Sequence, residues 1–240
     1  MTAATMQSSA AESLSVLTTI ITLDVEHAAT RAILTDAHQA HKLTMSGFAH
    51  LLPQYDFFTG IRGGHSDHRR ALNILYATHG RPDGTLLIRL QSDAPPCFSN
   101  TECDWWRDAI HPDYPPATKH WKIPGDGQIA YQIRATPHVR VNGKLRTLTT
   151  IDKQSEWWHK QAANAGLQLH GEPAIDQPIT LEFPSKHHSD PNKPQFRLPT
   201  LRFTGTATIT DPHAYRHRVT RGIGRGLPYG AGMLLTTTKK

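Results

Sequence analysis

Two histidines three residues apart, His38 and His41, are the first residues in the sequence whose type and spacing could do chemistry. Apolar residues around them recur at close to 3.6 residues, which predicts a helix capped by Thr35 or Asp36 and ended by Pro53. Because residues three apart lie on one face of a helix, we expect both imidazoles to project from the same side.

The histidine pair has three interpretations. It could be a partly exposed polar helix face, in a chain that contains 16 histidines. It could bind a metal together with His65 and His68 of a following loop, but no nearby carboxylate or cysteine completes the ligand set, so we predict neither metal nor cofactor. Finally, imidazole can take and give a proton at neutral pH. RNA carries its own nucleophile, the 2′-hydroxyl, so its cleavage needs only a base, an acid and charge stabilisation.

The elements that must position these side chains follow one order in each half of the chain. In the first half, strands are predicted around the helix, and a Pro- and Trp-rich connector without periodicity follows them. Their predicted bounds are Leu14–Leu23, Ala71–Thr78 and Thr85–Gln91 for the strands and 92–126 for the connector.

The second half repeats this order and completes it. Strands and helices alternate, with a Pro- and His-rich excursion over 171–199. The predicted elements are strand Gln128–Ala135, helix Asp152–Ala165, strands Leu167–His170 and Leu201–Thr210, a helix from Asp211 to Gly222 and strand 231–237. The sequence therefore predicts an α+β fold of two tandem ferredoxin-like (RRM-like) β-α-β-β-α-β domains, 14–126 and 127–240, after a disordered lead-in, 1–13.

Five glycines among eleven residues, from Gly222 to Gly232, lie between the last helix and the last strand. A dinucleotide site requires the opposite order, strand, loop and helix, which argues against a nucleotide cofactor. The segment could be a helix C-cap leading into an edge strand. It could also grip phosphates through its backbone and adjacent charges, and this second interpretation predicts Arg221, Gly222, Gly224, Arg225 and Gly226 as RNA-binding residues.

The charge of the chain is basic, with 26 Lys and Arg against 20 acids, and the basic residues concentrate in the second half. This balance is compatible with nucleic acid binding. The predicted phosphate contacts are Arg134, Arg140, Lys144 and Arg146, followed by Lys186, Lys193 and Arg197 around a predicted hairpin over 176–199.

Other residue types set further expectations. No apolar run reaches the roughly 18 residues of a membrane span, and the two cysteines form no disulfide framework, which together predict a cytoplasmic protein without a membrane partner.

Trp157 and Trp158 are adjacent on a predicted helix and point about 100° apart. We expect one in the core and the other at an edge or an interface.

Several of these motifs occur in an order that resembles the CasE family, the CRISPR repeat endoribonuclease of type I-E systems, over about residues 14–237. They are the helix with xHxxH, R-A-x-P at Arg134–Pro137, G-K-x-R at Gly143–Arg146, the W-W helix, F-x-G at Phe203–Gly205, and G-I-G-x-G…G-A-G-x-L-L at Gly222–Leu235. The resemblance implies tandem ferredoxin-like domains and metal-independent cleavage of the repeat RNA at the 3′ base of its stem-loop. It also implies that the product, the crRNA, stays bound and that the protein joins the other Cascade subunits.

On the predicted helix, His41 matches the catalytic histidine of that family, and His38 stands where characterised members have a tyrosine. The resemblance therefore implies His41 as base or acid, assisted by His38, with 2′,3′-cyclic phosphate and 5′-OH products. The tyrosine-to-histidine departure leaves a second interpretation open, a non-catalytic RNA-binding subunit of a ribonucleoprotein complex.

Overall fold

The computed structural model describes residues 15–51, 69–176, 178–183 and 197–239. Its first half contains β1 (Ser15–Asp24), α1 (Ala28–Thr35), α2 (Ala37–Ser46), β2 (Leu75–Gly80), β3 (Thr85–Ser92), α3 (Asp104–Arg107) and β4 (Ala117–Lys122). The strands form one sheet in the order β2-β3-β1-β4, and every neighbouring pair is antiparallel. Residues of α1, α2 and α3 cover one face of this sheet and bury its apolar side chains.

The second half builds a larger sheet on the same plan. It contains β5 (Gln128–Ala135), β6 (His138–Val141), β7 (Lys144–Thr147), α4 (Ile151–Asn164), β8 (Leu167–Leu169), β9 (Ala174–Ile175), β10 (Ile179–Glu182), β11 (Arg197–Ile209), α5 (Pro212–Arg221) and β12 (Leu234–Thr238). The sheet order is β10-β11-β5-β12, and the short β8 and β9 also pair with β11. The two sheets confirm the predicted fold class, a tandem of ferredoxin-like units.

Residues 92–126 contain regular structure, so the prediction of an irregular connector was wrong. β4 pairs with β1 from Ser15 opposite Lys122 to Ile20 opposite Ala117 and completes the first sheet. All six residues of β4 are exposed. A strand with no buried face shows no apolar alternation, and this explains why the pattern gave no signal.

The predicted strand over Ala71–Thr78 was wrong in its first half. Residues 71–73 end a helical segment and form a turn, and Asn73 adopts a positive φ of 48°. The buried Arg69 closes this turn, because its Nη1 donates to the Ile74 carbonyl at 2.7 Å and its own carbonyl accepts from the Ile74 N–H. The strand begins only at Leu75.

A β-hairpin that the sequence interpretation missed, β6–β7, projects from the second sheet and forms a separate two-stranded sheet. Its turn is Asn142-Gly143, with both residues at positive φ (50° and 75°). Asn-Gly between alternating residues is the strongest short-range signal for a two-residue hairpin.

Contacts between the two halves fix their arrangement. The Gln91 side chain donates to the Val219 carbonyl at 3.0 Å, and Arg221 donates to the Arg70 carbonyl at 3.1 Å. Val16 of the first sheet packs into the core of the second. Trp157 and Trp158 are both buried in this core, whereas one of them was expected at an edge or an interface. In the described part of the chain, no helix has both the length and the apolar character needed to span a membrane.

Candidate active site

Helix α2 places both candidate histidines in the interior. Asp36 caps the helix by accepting from the His38 N–H at 2.9 Å, and Gly47 ends it. His38 is 4% exposed and His41 is 8% exposed, and their ring centroids lie 6.2 Å apart. A polar face turned to solvent therefore does not account for the pair. The helix ends at Ser46, not at the predicted Pro53. Its C-cap, Gly47, packs so closely on Pro96 and Phe98 that a Cβ there would lie 2.9 Å from each.

A tyrosine from the other half of the chain meets this helix. The ring of Tyr229 lies edge-on to His41, with centroids 5.9 Å apart and planes at 67°. Phe183 packs against Tyr229 in the same way at 4.5 Å. Tyr229 ends a short 3₁₀ turn, Leu227–Tyr229, which is flanked by two glycines in the left-handed conformation, Gly226 and Gly230. The glycine-rich segment thus delivers an aromatic ring to α2.

Tyr76 on β2 holds this turn in place. Its hydroxyl donates to the Pro228 carbonyl at 3.1 Å, and a Cβ on Gly230 would lie 2.8 Å from its ring. Burial, together with the nearby Tyr229, raises the pKa of Tyr76 well above its ordinary value of 10.0, so the phenol stays neutral and keeps donating. The first sheet and the glycine segment are joined at this point.

A cavity of about 410 Å³ opens beside α2 between the two halves. Tyr76, Tyr229 and the half-buried Arg134 line it, together with apolar residues of α1, α2 and β10. Arg134 donates to Thr200 Oγ1 at 3.4 Å. Burial first, and then the neighbouring Arg202, lower the pKa of Arg134, but a guanidinium keeps its charge at neutral pH. The cavity therefore combines apolar walls with the positive charge of Arg134, and its lining also includes Glu182, which pairs with Arg197.

Of the predicted basic residues that the structure describes, only Arg134 lines this cavity. Arg140, Lys144 and Arg146 are exposed on the β6–β7 hairpin. The register pairs Arg140 with Leu145 and Arg146 with Val139, which puts Arg140 on one face and Lys144 and Arg146 on the other.

The predicted hairpin over 176–199 has its base in the described residues, where β10 pairs with β11. Arg197 at this base lies 3.6 Å from the carboxylate of Glu182. Lys186 and Lys193 lie outside the described residues.

The glycines of the candidate phosphate grip divide into two kinds. A Cβ on Gly222 would lie 2.6 Å from the Leu227 side chain, and one on Gly226 would lie 2.5 Å from Leu198, so leucines cover the backbone at both positions. Gly224 is exposed, as are Arg221 and Arg225. Packing therefore explains Gly222 and Gly226, and the part of the loop left for phosphate contact is Gly224 with the two arginines.

A sequence model of the family described as "CRISPR associated protein" matches residues 17–237. The chain belongs to this family. No curated protein matches the sequence significantly. Among solved structures, the chain is similar to a CRISPR endoribonuclease Cse3 bound to a 19-nucleotide RNA, with a TM-score of 0.74 and 18% identity over 94% of this chain and 100% of that one.

Two further structures share the fold of this CRISPR-associated protein. One is Thermus thermophilus Cse3 bound to an RNA that represents a pre-cleavage complex, with a TM-score of 0.70 and 19% identity over 93% of this chain and 99% of that one. The other belongs to a CRISPR RNA-guided surveillance complex, with a TM-score of 0.56 and 22% identity over 92% of this chain and 98% of that one. At these identities the comparison establishes the fold.

Within the described residues of this family member, no group of three or more His, Cys, Asp or Glu is arranged to hold a metal ion. His65 and His68, the other two members of the possible metal set, lie outside those residues.

Sequence reasoning missed Tyr76 and Tyr229 as site residues. The only signal for Tyr229 was a large aromatic side chain inside a glycine-rich run, and nothing local in the sequence links either tyrosine to α2.

Proposed function

We propose that this protein is a metal-independent endoribonuclease that cleaves CRISPR repeat RNA at the 3′ base of its stem-loop and keeps the product as a Cascade subunit. The observation that carries the proposal is the buried His38–His41 pair, met by Tyr229 where the two ferredoxin-like units join. The proposal is also supported by the similarity to structures described as an RNA-bound endoribonuclease and as part of an RNA-guided surveillance complex.

In this proposal, one imidazole takes the proton of the 2′-hydroxyl while a second acid protonates the leaving 5′-oxygen. The attack of the 2′-oxygen on phosphorus breaks the P–O5′ bond and leaves a 2′,3′-cyclic phosphate and a 5′-OH. We assign the main role to His41 and the assisting role to His38, because the two side chains share one helix face and imidazole is the side chain best suited to take and give a proton at neutral pH. Arg134, the fixed positive charge of the adjacent cavity, is suited to stabilise the negative charge that develops on the phosphate.

The RNA stem in this proposal is held electrostatically. The deep, narrow major groove of an A-form stem resists direct base reading by a helix, which favours contacts to phosphates. We propose the exposed β6–β7 hairpin with Arg140, Lys144 and Arg146, the strand pair that carries Arg197, and the loop positions Arg221, Gly224 and Arg225 as the contact surface. Lys186 and Lys193 remain predictions for the same surface.

The division of the chain belongs to the same proposal. We place the domain boundary between residues 126 and 127, in the segment that joins β4 to β5. We also propose the reducing cytoplasm as the compartment, since Cys97 and Cys103 are both free thiols.

The test incubates the protein in EDTA with a hairpin repeat RNA and with a copy that carries one 2′-deoxy nucleotide at the cut site. We expect cleavage of the first RNA only, because the second lacks the nucleophile. His41→Ala should abolish cleavage without changing RNA affinity, whereas His50→Ala, at an exposed position just beyond α2, should cleave like the wild type.

Cleavage by His41→Ala at the wild-type rate would contradict the assignment, and loss of activity in EDTA would favour the metal-dependent interpretation. Tight binding of the hairpin without any cleavage by the wild type would favour the non-catalytic RNA-binding subunit. That second candidate is motivated by His38, which occupies the position where the resembling family has tyrosine.

A further inference from the structure

Trp121 of β4 is an exposed tryptophan on the edge of the first sheet, and two cations lie close to its ring. The guanidinium of Arg89 lies 4.6 Å from the centre of its ring, and the ammonium of Lys119 lies 5.5 Å from it. Trp121 is 37% exposed, and β4 is exposed along its whole length. Trp121 lies three strands away from Tyr76 and the candidate active site, or roughly 14 Å at the usual strand spacing.

The strand register puts the three side chains on the face of the first sheet opposite to α1, α2 and α3. Further along, this face meets the second half through Val16 and Gln91. Trp121 is opposite Val16, Lys119 is opposite Thr18, and Arg89 is opposite Ile20, all on the same side of β1. The helices cover the other face, which carries Ile21 and Leu23.

None of the ion pairs among the described residues includes a cation of this group, Arg89 or Lys119. Within the same part of the chain, the Nε of Arg89 is buried without a hydrogen-bond partner. Burial lowers the pKa of Arg89, which reflects the cost of holding a cation there. An anionic ligand would offset this cost.

A cleft of about 540 Å³ continues from Trp121 to the second sheet. Its lining includes Lys122, the 123–126 segment and the end of β12, Thr236–Thr238. Its one acidic lining residue, Asp126, is outnumbered by the cations at Arg89, Lys119 and Lys122. The volume is within the range of small-ligand sites, and threonine hydroxyls can bond to bases and riboses.

We propose that this edge of the first sheet binds single-stranded RNA through the exposed Trp121, through Arg89 and Lys119 beside its ring, and through Lys122 in the adjoining cleft. Unstacked bases stack on exposed aromatic rings, and a basic track next to the rings follows the phosphates. A duplex does not fit the same chemistry, because its bases are already stacked. The identity of the RNA rests on the proposed function. If that function holds, the ligand is the single-stranded RNA that flanks the repeat stem.

The test measures binding to full-length His41→Ala protein by fluorescence anisotropy. Three RNAs are compared: the repeat stem-loop alone, the stem-loop with a single-stranded flank, and an oligouridylate of the flank's length. Trp121→Ala should weaken binding of the oligouridylate, and remove the affinity that the flank adds, by roughly 5- to 140-fold per stacked base. Its affinity for the stem-loop alone should stay within about twofold of the parent protein, because the stem contacts lie elsewhere.

Two further variants distinguish the loss of base stacking from a general loss of folding or binding. Trp105 on α3 is 39% exposed, so Trp105→Ala removes an equally exposed indole and should leave all three affinities unchanged. Trp121→Phe keeps an aromatic face and should retain most of the single-strand affinity. Thermal melting of each variant shows whether it is folded.

Equal single-strand affinities for Trp121→Ala and the parent would overturn the inference, as would equal losses for the two tryptophan variants. An acidic protein segment that pairs with the exposed edge of β4 is the alternative occupant, and it predicts the first of these results. Failure of the proposed function is a separate outcome. In that case the wild type neither binds nor cuts the stem-loop, while the oligouridylate still binds through Trp121.

Discussion

Alanine at Gly232 should destabilise the protein more than alanine at Gly224, although the two glycines have the same backbone conformation. Their φ angles are 86° and 82°, so both substitutions carry a similar strain, on the order of 1–2 kcal/mol. The two positions differ in what a Cβ would meet. At Gly232 it would lie 2.5 Å from the Ile223 carbonyl oxygen, and at Gly224 the nearest atoms are those of the Trp157 ring at 3.7 Å.

The clash at Gly232 cannot relax by a side-chain rotation. The Ile223 N–H donates to the Gly232 carbonyl at 2.8 Å, and the Gly232 N–H donates to the Arg134 carbonyl at 2.6 Å, so both segments are tied together. Overpacking of this kind costs about 1–3 kcal/mol beyond the shared strain. For a chain of this size each kcal/mol lowers the melting temperature by about 2–4 °C. Gly232→Ala should therefore melt roughly 2–12 °C below Gly224→Ala.

Differential scanning calorimetry of the two variants and the wild type measures this difference. Because Gly232 holds Arg134 and the turn that carries Tyr229, we also expect Gly232→Ala to cleave RNA more slowly at a temperature where it is still folded. Gly224→Ala tests the proposed phosphate contact, and we expect this variant to bind RNA more weakly than the wild type. If Gly224→Ala melts at or below the temperature of Gly232→Ala, packing is not the reason for the glycine at position 232 and the argument fails.

Three further outcomes can be checked with single substitutions. Tyr229→Phe keeps the ring against His41 and should retain most of the cleavage rate, whereas Tyr229→Ala should lose about 10²-fold, because the imidazole is no longer held in place. Equal losses would instead assign a chemical role to the hydroxyl. Arg140→Ala and Arg146→Ala should each weaken stem binding and reduce the slope of log affinity against log salt concentration by about one, and unchanged slopes would contradict their phosphate contacts. Burial raises the pKa of Tyr215 to about 12 from 10.0, so its contribution to the free energy of unfolding is complete below pH 10. About 3 kcal/mol should then be lost as the pH rises from about 10 to about 12. Urea unfolding across this range measures the total loss. Tyr215→Phe should reduce it by this amount and leave the part that comes from other buried tyrosines such as Tyr76.

The sequence was sufficient for the fold class because buried elements carry periodic signals. β5 alternates between buried and exposed positions along Gln128–Ala135, and α5 begins at the predicted Asp211-Pro212 cap. The elements that were missed bury too little to be periodic. β4 is exposed on both faces, and the β6–β7 hairpin is stabilised by its Asn142-Gly143 turn and cross-strand pairs instead of by an apolar face.

The candidate site shows a different limit, which concerns distance along the chain. His38 and His41 could be linked to each other because helical spacing is local. The contact of His41 with Tyr229 joins residues 188 positions apart, and it depends on packing that no local pattern encodes. The same packing changes what the glycine segment is for. The leucines that cover Gly222 and Gly226, and the Tyr76 hydroxyl that holds Pro228, indicate that most of these glycines let the chain pass close to its neighbours and present Tyr229 to α2. Contact with phosphate is then left to Gly224, Arg221 and Arg225, beside the chemistry that we assign to His41.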